Sequence, residues 1–204
     1  MDVNANLVRE LRDKTGAGVM DCKTALAETK GDLDQAVVWL REKGIAQAAK
    51  RSGRVASEGS IGSYIHAGGK LGVLVEVNCE SDFVAKTPEF QNLVKEIAMQ
   101  IAAANPRAVR REELAEDIIA QERQIYASQA AGTGKPENVI NKIVDGKLEK
   151  FFADACLYEQ AWVRDPNRLM KDLIGEYVGK LGEKIEVRRF VRFQLGENLG
   201  AKTA

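Results

Sequence analysis

The 204-residue chain has no surplus of either charge: 30 Lys and Arg stand against 30 Asp and Glu. A nucleic-acid coat or an acidic-lipid binder needs positive excess to neutralise phosphates, so neither class fits. No apolar run approaches the roughly 20 residues that span a bilayer, and Met1-Asp2-Val3-Asn4 lacks the basic and apolar parts of a secretory signal. A cytoplasmic protein without membrane or direct nucleic-acid partners is expected. Cysteine is scarce: Cys22, Cys79 and Cys156 are odd in number and show no C-x-x-C spacing. They suggest neither a disulfide framework nor a zinc site and read as buried thiols. His66 is the single histidine. A Cys–His or Ser–His hydrolase would have to use it, yet no spacing specifies its partner. No catalytic residue, metal ligand or cofactor is therefore assigned. What is present is ordinary: 45% apolar and 29% charged residues, in a chain long enough to bury a core unaided.

The apolar residues recur with helical spacing near the N-terminus. Asn4 and Asn6 are capping types, and Leu7, Val8 and Leu11 make one face that stops at Thr15-Gly16-Ala17-Gly18. Val19, Cys22 and Leu26 make a second face, with Gly31 as its left-handed exit. Asp32 and Gln35 resemble a capping box, after which Leu33, Ala36, Val37 and Leu40 give a third face ending at Gly44. A compact bundle of helices is expected, followed over 45–54 by an alanine-rich basic stretch suited to a helical linker.

From Ser57 the pattern changes. Ile61–Ile65 and Leu71–Val77 are β-branched and aromatic runs separated by His66-Ala67-Gly68-Gly69-Lys70, which predicts a hairpin. Thr87 and Pro88 open the clearest helix, with Phe90, Leu93, Val94, Ile97 and Ile101 at spacings of three and four, broken by Asn105-Pro106. Two more helices follow, one near 112–130 that includes Leu114, Ile118, Ile119 and Ile125, the other from Pro136 to Phe152, with Gly132-Thr133-Gly134-Lys135 as the loop between them. A last helix near 168–180 precedes Lys184–Phe193, a strand that arrives late in sequence. The fold class is α+β: a three-helix domain at 1–54, then a core at 55–204 whose three-stranded antiparallel sheet is covered by helices.

Several segments invite chemistry and have plainer readings. Gly132–Lys135 fails the phosphate-loop spacing and is followed by Pro136. Thr15–Gly18 could cradle an anion, although glycines suit a tight helix–helix turn better. Arg188, Arg189 and Arg192 read as a solvated face ahead of a phosphate track. Beside its turn, His66 reads as a surface or structural group first and a partner contact second. Harder to dismiss is the polar loop Asn78–Lys86, which holds one large aromatic, Phe83, beside Asp82. Composition favours Phe83 folding back into its own core; exposed, it would be a contact anchor.

Leu7–Leu26 (LVRELRDKTGAGVMDCKTAL) and Glu76–Lys86 (EVNCESDFVAK) closely resemble the bacterial elongation factor Ts family, as does Gly182–Phe193 (GEKIEVRRFVRF). The resemblance covers almost the whole chain, and it departs at Ser81, where the family usually has threonine, a change that keeps the hydroxyl. It implies that the three helices form a domain similar to ubiquitin-associated modules, touching the nucleotide-binding domain of elongation factor Tu through Val19 and Met20. It implies further partner contacts at Ser81, Asp82, Phe83 and Val84, with Asp82 and Phe83 pushing between helices near the partner's magnesium site. His66 is carried as a contact of the same class. The single hairpin Tyr64–Leu74 resembles the short form, in which a dimer mate supplies a missing half. Val187, Val191 and Phe193 are the candidate homodimer positions. The implied activity is guanine-nucleotide exchange on elongation factor Tu. The alternative is a binding adaptor that uses the three-helix domain alone.

Overall fold

The computed structural model describes residues 4–132 and 136–197. Met1–Val3 and the Thr133–Lys135 stretch of the glycine loop lie outside the described residues. Three helices come first: α1 (Ala5–Thr15), α2 (Val19–Glu28) and α3 (Leu33–Arg51). Two of the three starts are marked by a capping side chain. Asn4 caps α1 by accepting the Asn6 N–H at 2.9 Å, and Asp32 caps α3 by accepting the Gln35 N–H at 2.9 Å. Gly16, at φ 67°, closes α1 with its N–H on Arg12 O, and Gly31, at φ 88°, makes the exit from α2. Leu11, Cys22, Ala25, Leu26 and Ala36 form the buried centre between them.

The third helix does not end at Gly44 as its apolar pattern suggests; it runs unbroken to Arg51. Glycine stands there because another backbone comes close. A methyl group at Gly44 would lie 3.1 Å from Gly175 O, and one at Gly179 would lie 2.9 Å from Gly44 Cα. Both Gly175 and Gly179 belong to the last helix, α8 (Met170–Leu181). Arg41 adds an ion pair to Asp172 of that helix at 3.1 Å.

The sheet has the order β1 (Glu58–Ile65), β2 (Leu71–Cys79), β5 (Ile185–Gln194), antiparallel throughout. Gly68 and Gly69, both at positive φ, turn the first hairpin, closed by His66 N–H on Leu71 O at 2.9 Å. Val73, Val75 and Val77 alternate inward on β2. Helix α5 (Pro88–Ala104) buries Phe90, Leu93, Val94, Ile97 and Ile101, and its Val94 presses so near Gly62 that no side chain fits there. Thr87 caps α5 by accepting the Phe90 N–H, and Asn105, at φ 46°, ends it.

By internal packing the chain divides into two compact units, one comprising Met1–Ser63, Leu74–Ala98 and Lys171–Phe190, the other Tyr64–Val73, Met99–Met170 and Val191–Ala204. The second holds the helix pair α6 (Glu116–Ala131) and α7 (Glu137–Ala155). Leu114, expected inside α6, instead ends a 3-10 turn at Arg111–Glu113 and is buried there. A short hairpin, β3 (Ala161–Trp162) with β4 (Asp165–Leu169), has no counterpart in the sequence-based expectation. Polar side chains support it: buried Gln100 donates to Gln160 Oε1 and Ala161 O, both at 3.1 Å, and accepts the Val163 N–H at 2.9 Å. No described helix is long and apolar enough to cross a membrane.

Candidate functional site

Glycine geometry opens the first contact region. Gly16 ends α1 and Gly18 is the N-cap of α2, so the Thr15–Gly18 stretch is a tight helix–helix turn. It delivers Val19 and Met20 to the first turn of α2, where Met20 is 71% exposed and Val19 44%. Their neighbour Asp21 sits at the positive end of the helix dipole and pairs with Lys43 of α3 at 2.7 Å. An unbranched methionine held this way is an adaptable apolar contact.

The second region follows β2. Asp82–Ala85 forms a single helical turn, α4, inside what the sequence suggests is a plain loop. Ser81 is its N-cap, accepting the Val84 N–H at 3.4 Å, and Ala85 is buried beneath. Phe83 is 81% exposed, which rules out its folding back into the core. Asp82 bonds Lys86 at 2.7 Å across one turn, and that bond holds its carboxyl below the ordinary aspartate value while raising Lys86. Val84 is half-buried, and its carbonyl accepts the Thr87 hydroxyl at 2.8 Å.

So short a helix has almost no stability of its own. Its support is remote. Glu183, in the turn between α8 and β5, accepts the backbone N–H groups of Glu80 and Ser81 at 3.0 Å each and the Ser81 hydroxyl at 2.6 Å. Glu80 answers in the other direction, accepting the Lys184 N–H at 2.6 Å and pairing with Arg54 at 3.3 Å. The Lys184 backbone bond, then Arg54, keep the Glu80 carboxyl below its ordinary value. Lys184 also donates to Arg54 O at 2.9 Å. Beneath, Cys79 Sγ donates to Ser81 O at 3.1 Å; burial first, then the Glu183 charge, pushes this thiol up to about 11. The sequence gives no sign of Glu183 as a partner of this turn, because a separation of 102 residues leaves no local signature.

The remaining candidates sit elsewhere. His66 is exposed at the hairpin turn, its Nδ1 3.0 Å from the Tyr64 hydroxyl, and it belongs to the second unit, whereas Val19, Met20 and Ser81–Val84 belong to the first. Val187 is fully buried in the chain's own core, because it lies on the inward face of β5, and so has no surface to offer a dimer mate. Val191 and Phe193, further along the same strand, are exposed, at 45% and 62%. Arg188 and Arg189 both approach Glu76, at 3.8 and 2.7 Å, and make a paired face.

Chemically the arrangement is poor in reactive groups. All three cysteines are free and buried, and burial raises Cys22 as well as Cys156, the latter to about 11, so no thiolate stands ready for attack. Among the described residues no group of three or more His, Cys, Asp or Glu is placed to hold a metal ion. What the surface offers is apolar anchors on braced supports, which suits recognition of another macromolecule.

Comparison with known proteins identifies the lineage. Residues 20–197 match the family model described as Elongation factor TS. Elongation factor Ts of Thermoanaerobacter sp. (strain X514) is 56% identical over 197 residues, covering 97% of both chains. Elongation factor Ts of Geobacter metallireducens is 56% identical over 202 residues, covering 99% of this chain and 94% of that one. The Anaeromyxobacter sp. (strain K) protein of the same name is 57% identical over 201 residues, with 98% and 92% covered. With Met20, the Ser81–Val84 turn and the sheet-closing strand all inside that match, the chain belongs to the elongation factor Ts family.

Proposed function

We propose that this chain speeds GDP release from elongation factor Tu by pressing Phe83 into the partner's nucleotide-binding domain. Guanine-nucleotide exchange on elongation factor Tu is the role that goes with the family; which residues act, and how, is our reading. The observation that carries it is the contrast at one loop: a phenyl ring 81% exposed, on a turn tied down by hydrogen bonds on both flanks. An aromatic ring held out on a support that is ordered before docking has the character of an interface anchor, because little conformational freedom is lost when it is covered.

The mechanism rests on reciprocity. Whatever affinity the nucleotide loses in the complex, the exchange factor must lose when nucleotide binds. A 10⁴-fold weakening corresponds to about 5.5 kcal/mol, and one or two fully desolvated anchors of about 2–4 kcal/mol each supply most of it. Phe83 would wedge apart a pair of packed helices so that the phosphate loop and magnesium ligands lose register. Asp82, Ser81 and Val84 frame it, Val19 and Met20 give a second hold from the separable three-helix domain at 1–54, and His66 is a further contact. No covalent bond is made or broken, so the protein is not an enzyme in this reading. It works in the cytoplasm with translation, needing no cofactor, membrane or direct nucleic-acid contact.

We also propose a homodimer through the exposed Val191 and Phe193. A species of 22.4 kDa at micromolar concentration that exchanges at full rate would rule the homodimer out. An adaptor working through the three helices alone is not favoured, since the family match continues to residue 197. The test of the main reading is release of fluorescent GDP from elongation factor Tu with and without this protein, repeated with Phe83→Ala. Acceleration by the native chain and its loss in the variant at unchanged melting temperature are expected. Unimpaired exchange by a folded Phe83→Ala protein would overturn the role given to the ring.

A further inference from the structure

The turn that presents Phe83 cannot hold itself. It has four helical residues, its cap bond from Val84 N–H to Ser81 Oγ is long at 3.4 Å, and its one ion pair, Lys86 to Asp82, lies in solvent. An exposed ring on a loose loop would lose conformational freedom on docking, and that loss subtracts from whatever the ring gains against the partner. Something must order the loop beforehand. Among the described side chains one makes three bonds to it from a distant region of the chain: Glu183 takes the N–H of Glu80, the N–H of Ser81 and the hydroxyl of Ser81 on its two oxygens. Its own position is set by Gly182, which turns the chain out of α8 at φ 76°. The reverse bond, Lys184 N–H to Glu80, makes the junction reciprocal, so the loop and the α8–β5 turn fix each other. A residue that served only to end α8 would aim its carboxylate at neighbouring backbone; this one reaches across 102 residues to the base of the Phe83 turn.

We infer that Glu183 is a positioning residue for nucleotide exchange, which holds the Ser81–Val84 turn in its docking conformation before the partner arrives. It touches neither nucleotide nor partner and acts through Ser81 and Phe83. The inference rests on the proposed role of Phe83, and the experiment separates the two.

Exchange of fluorescent GDP on elongation factor Tu is measured over a range of concentrations of the full chain for Glu183→Ala, Phe83→Ala and the double variant, with melting temperatures for each. Glu183→Ala is expected to lower the maximal rate about tenfold while moving the half-saturating concentration less than about twofold, because Val19 and Met20 are untouched. Glu183→Gln, which keeps an acceptor for the backbone N–H groups, should restore most of the rate. In the Phe83→Ala background Glu183→Ala should cost little more, since there is no ring left to position. An equal loss in both backgrounds would mean that Glu183 supports the fold in general, and would overturn the inference. So would a native rate in Glu183→Ala beside a defective Phe83→Ala. A native rate in Phe83→Ala itself would remove the reading on which the inference stands. Should Glu183→Ala not fold, Glu183→Asp, which keeps the charge but withdraws the carboxylate from the Ser81 turn by one methylene, carries the same comparison. A loss of about threefold that disappears in the Phe83→Ala background is expected, and one that persists there overturns the inference.

Discussion

The three-helix segment and the turn bearing Phe83 both present an apolar side chain to solvent, and they are held in opposite ways. Met20 rides on a helix whose entry, exit and buried core come from its sequence neighbours, Gly18 before it, Gly31 after it and the cluster from Val8 to Ala36. Phe83 rides on a turn whose fixing carboxylate, Glu183, lies 102 residues beyond Ser81. A contact surface can therefore be built locally when a helix is long enough to have its own packed face. A shorter support must borrow rigidity from elsewhere in the fold.

Removing residues 1–54 tests the local half most severely. We expect exchange to fall on the order of 10³-fold, from two lost anchors of about 2 kcal/mol each, while the remaining chain keeps its helical circular dichroism. Loss of that dichroism would mean that the Gly44–Gly179 contact ties the segment into a larger unit. Phe83→Ala comes next: a loss on the order of 100-fold in GDP release at unchanged melting temperature. A buried phenylalanine would instead cost about 3–5 kcal/mol of stability, so a large drop in melting temperature would erase the contrast between the two regions.

Gly179→Ala sharpens the comparison from the other side. The new methyl would meet Gly44 Cα at 2.9 Å, backbone against backbone, and a destabilisation of about 1–3 kcal/mol is expected by denaturant titration. An unchanged midpoint would show that α3 does not depend on that approach. Asp82→Ala should lower exchange by no more than about threefold, since its partner Lys86 is solvent-exposed. A loss matching that of Phe83→Ala would shift the main role to the carboxylate.

The smallest effect concerns pH. Glu80 is held below its ordinary value by the Lys184 N–H and then Arg54, so its folded form binds the proton less readily than its unfolded form. Its contribution is complete above the ordinary glutamate range and disappears only as pH falls through the lowered folded value. Melting temperatures of native and Glu80→Gln proteins should therefore differ by a constant amount from about pH 8 to about pH 6 and converge in acid. A difference that persisted in acid, or that still grew between about pH 6 and about pH 8, would contradict that assignment.

Much of this was legible in the residues. Asn4, Asp32 and Thr87 cap the helices that their spacing implies, and Gly68-Gly69 turns the hairpin where a glycine pair should. Elsewhere the local signals misled. Gly44 looks like a helix end because glycine is a common exit, but here it admits a neighbouring backbone. Leu114 fits the apolar period of α6, yet it is buried in the turn before that helix. The β3–β4 hairpin, whose strand Asp165–Leu169 carries little β-branched character, is held by Gln100 from another element.

The sequence by itself determined the family and most of the elements, the Asp82–Ala85 turn and the β3–β4 hairpin excepted, because caps, glycine exits and apolar periods act within a few residues of where they are written. Whether Phe83 points inward or outward was not decided there: the same loop composition permits either. Tertiary structure decided it, by bringing Glu183 and Lys184 to Glu80 and Ser81 and so fixing the turn with its ring in solvent. It likewise buried Val187 while leaving Val191 and Phe193 exposed on one continuous strand. Hydrogen bonds and burial between residues so far apart depend on where the whole chain closes, and no local pattern encodes that.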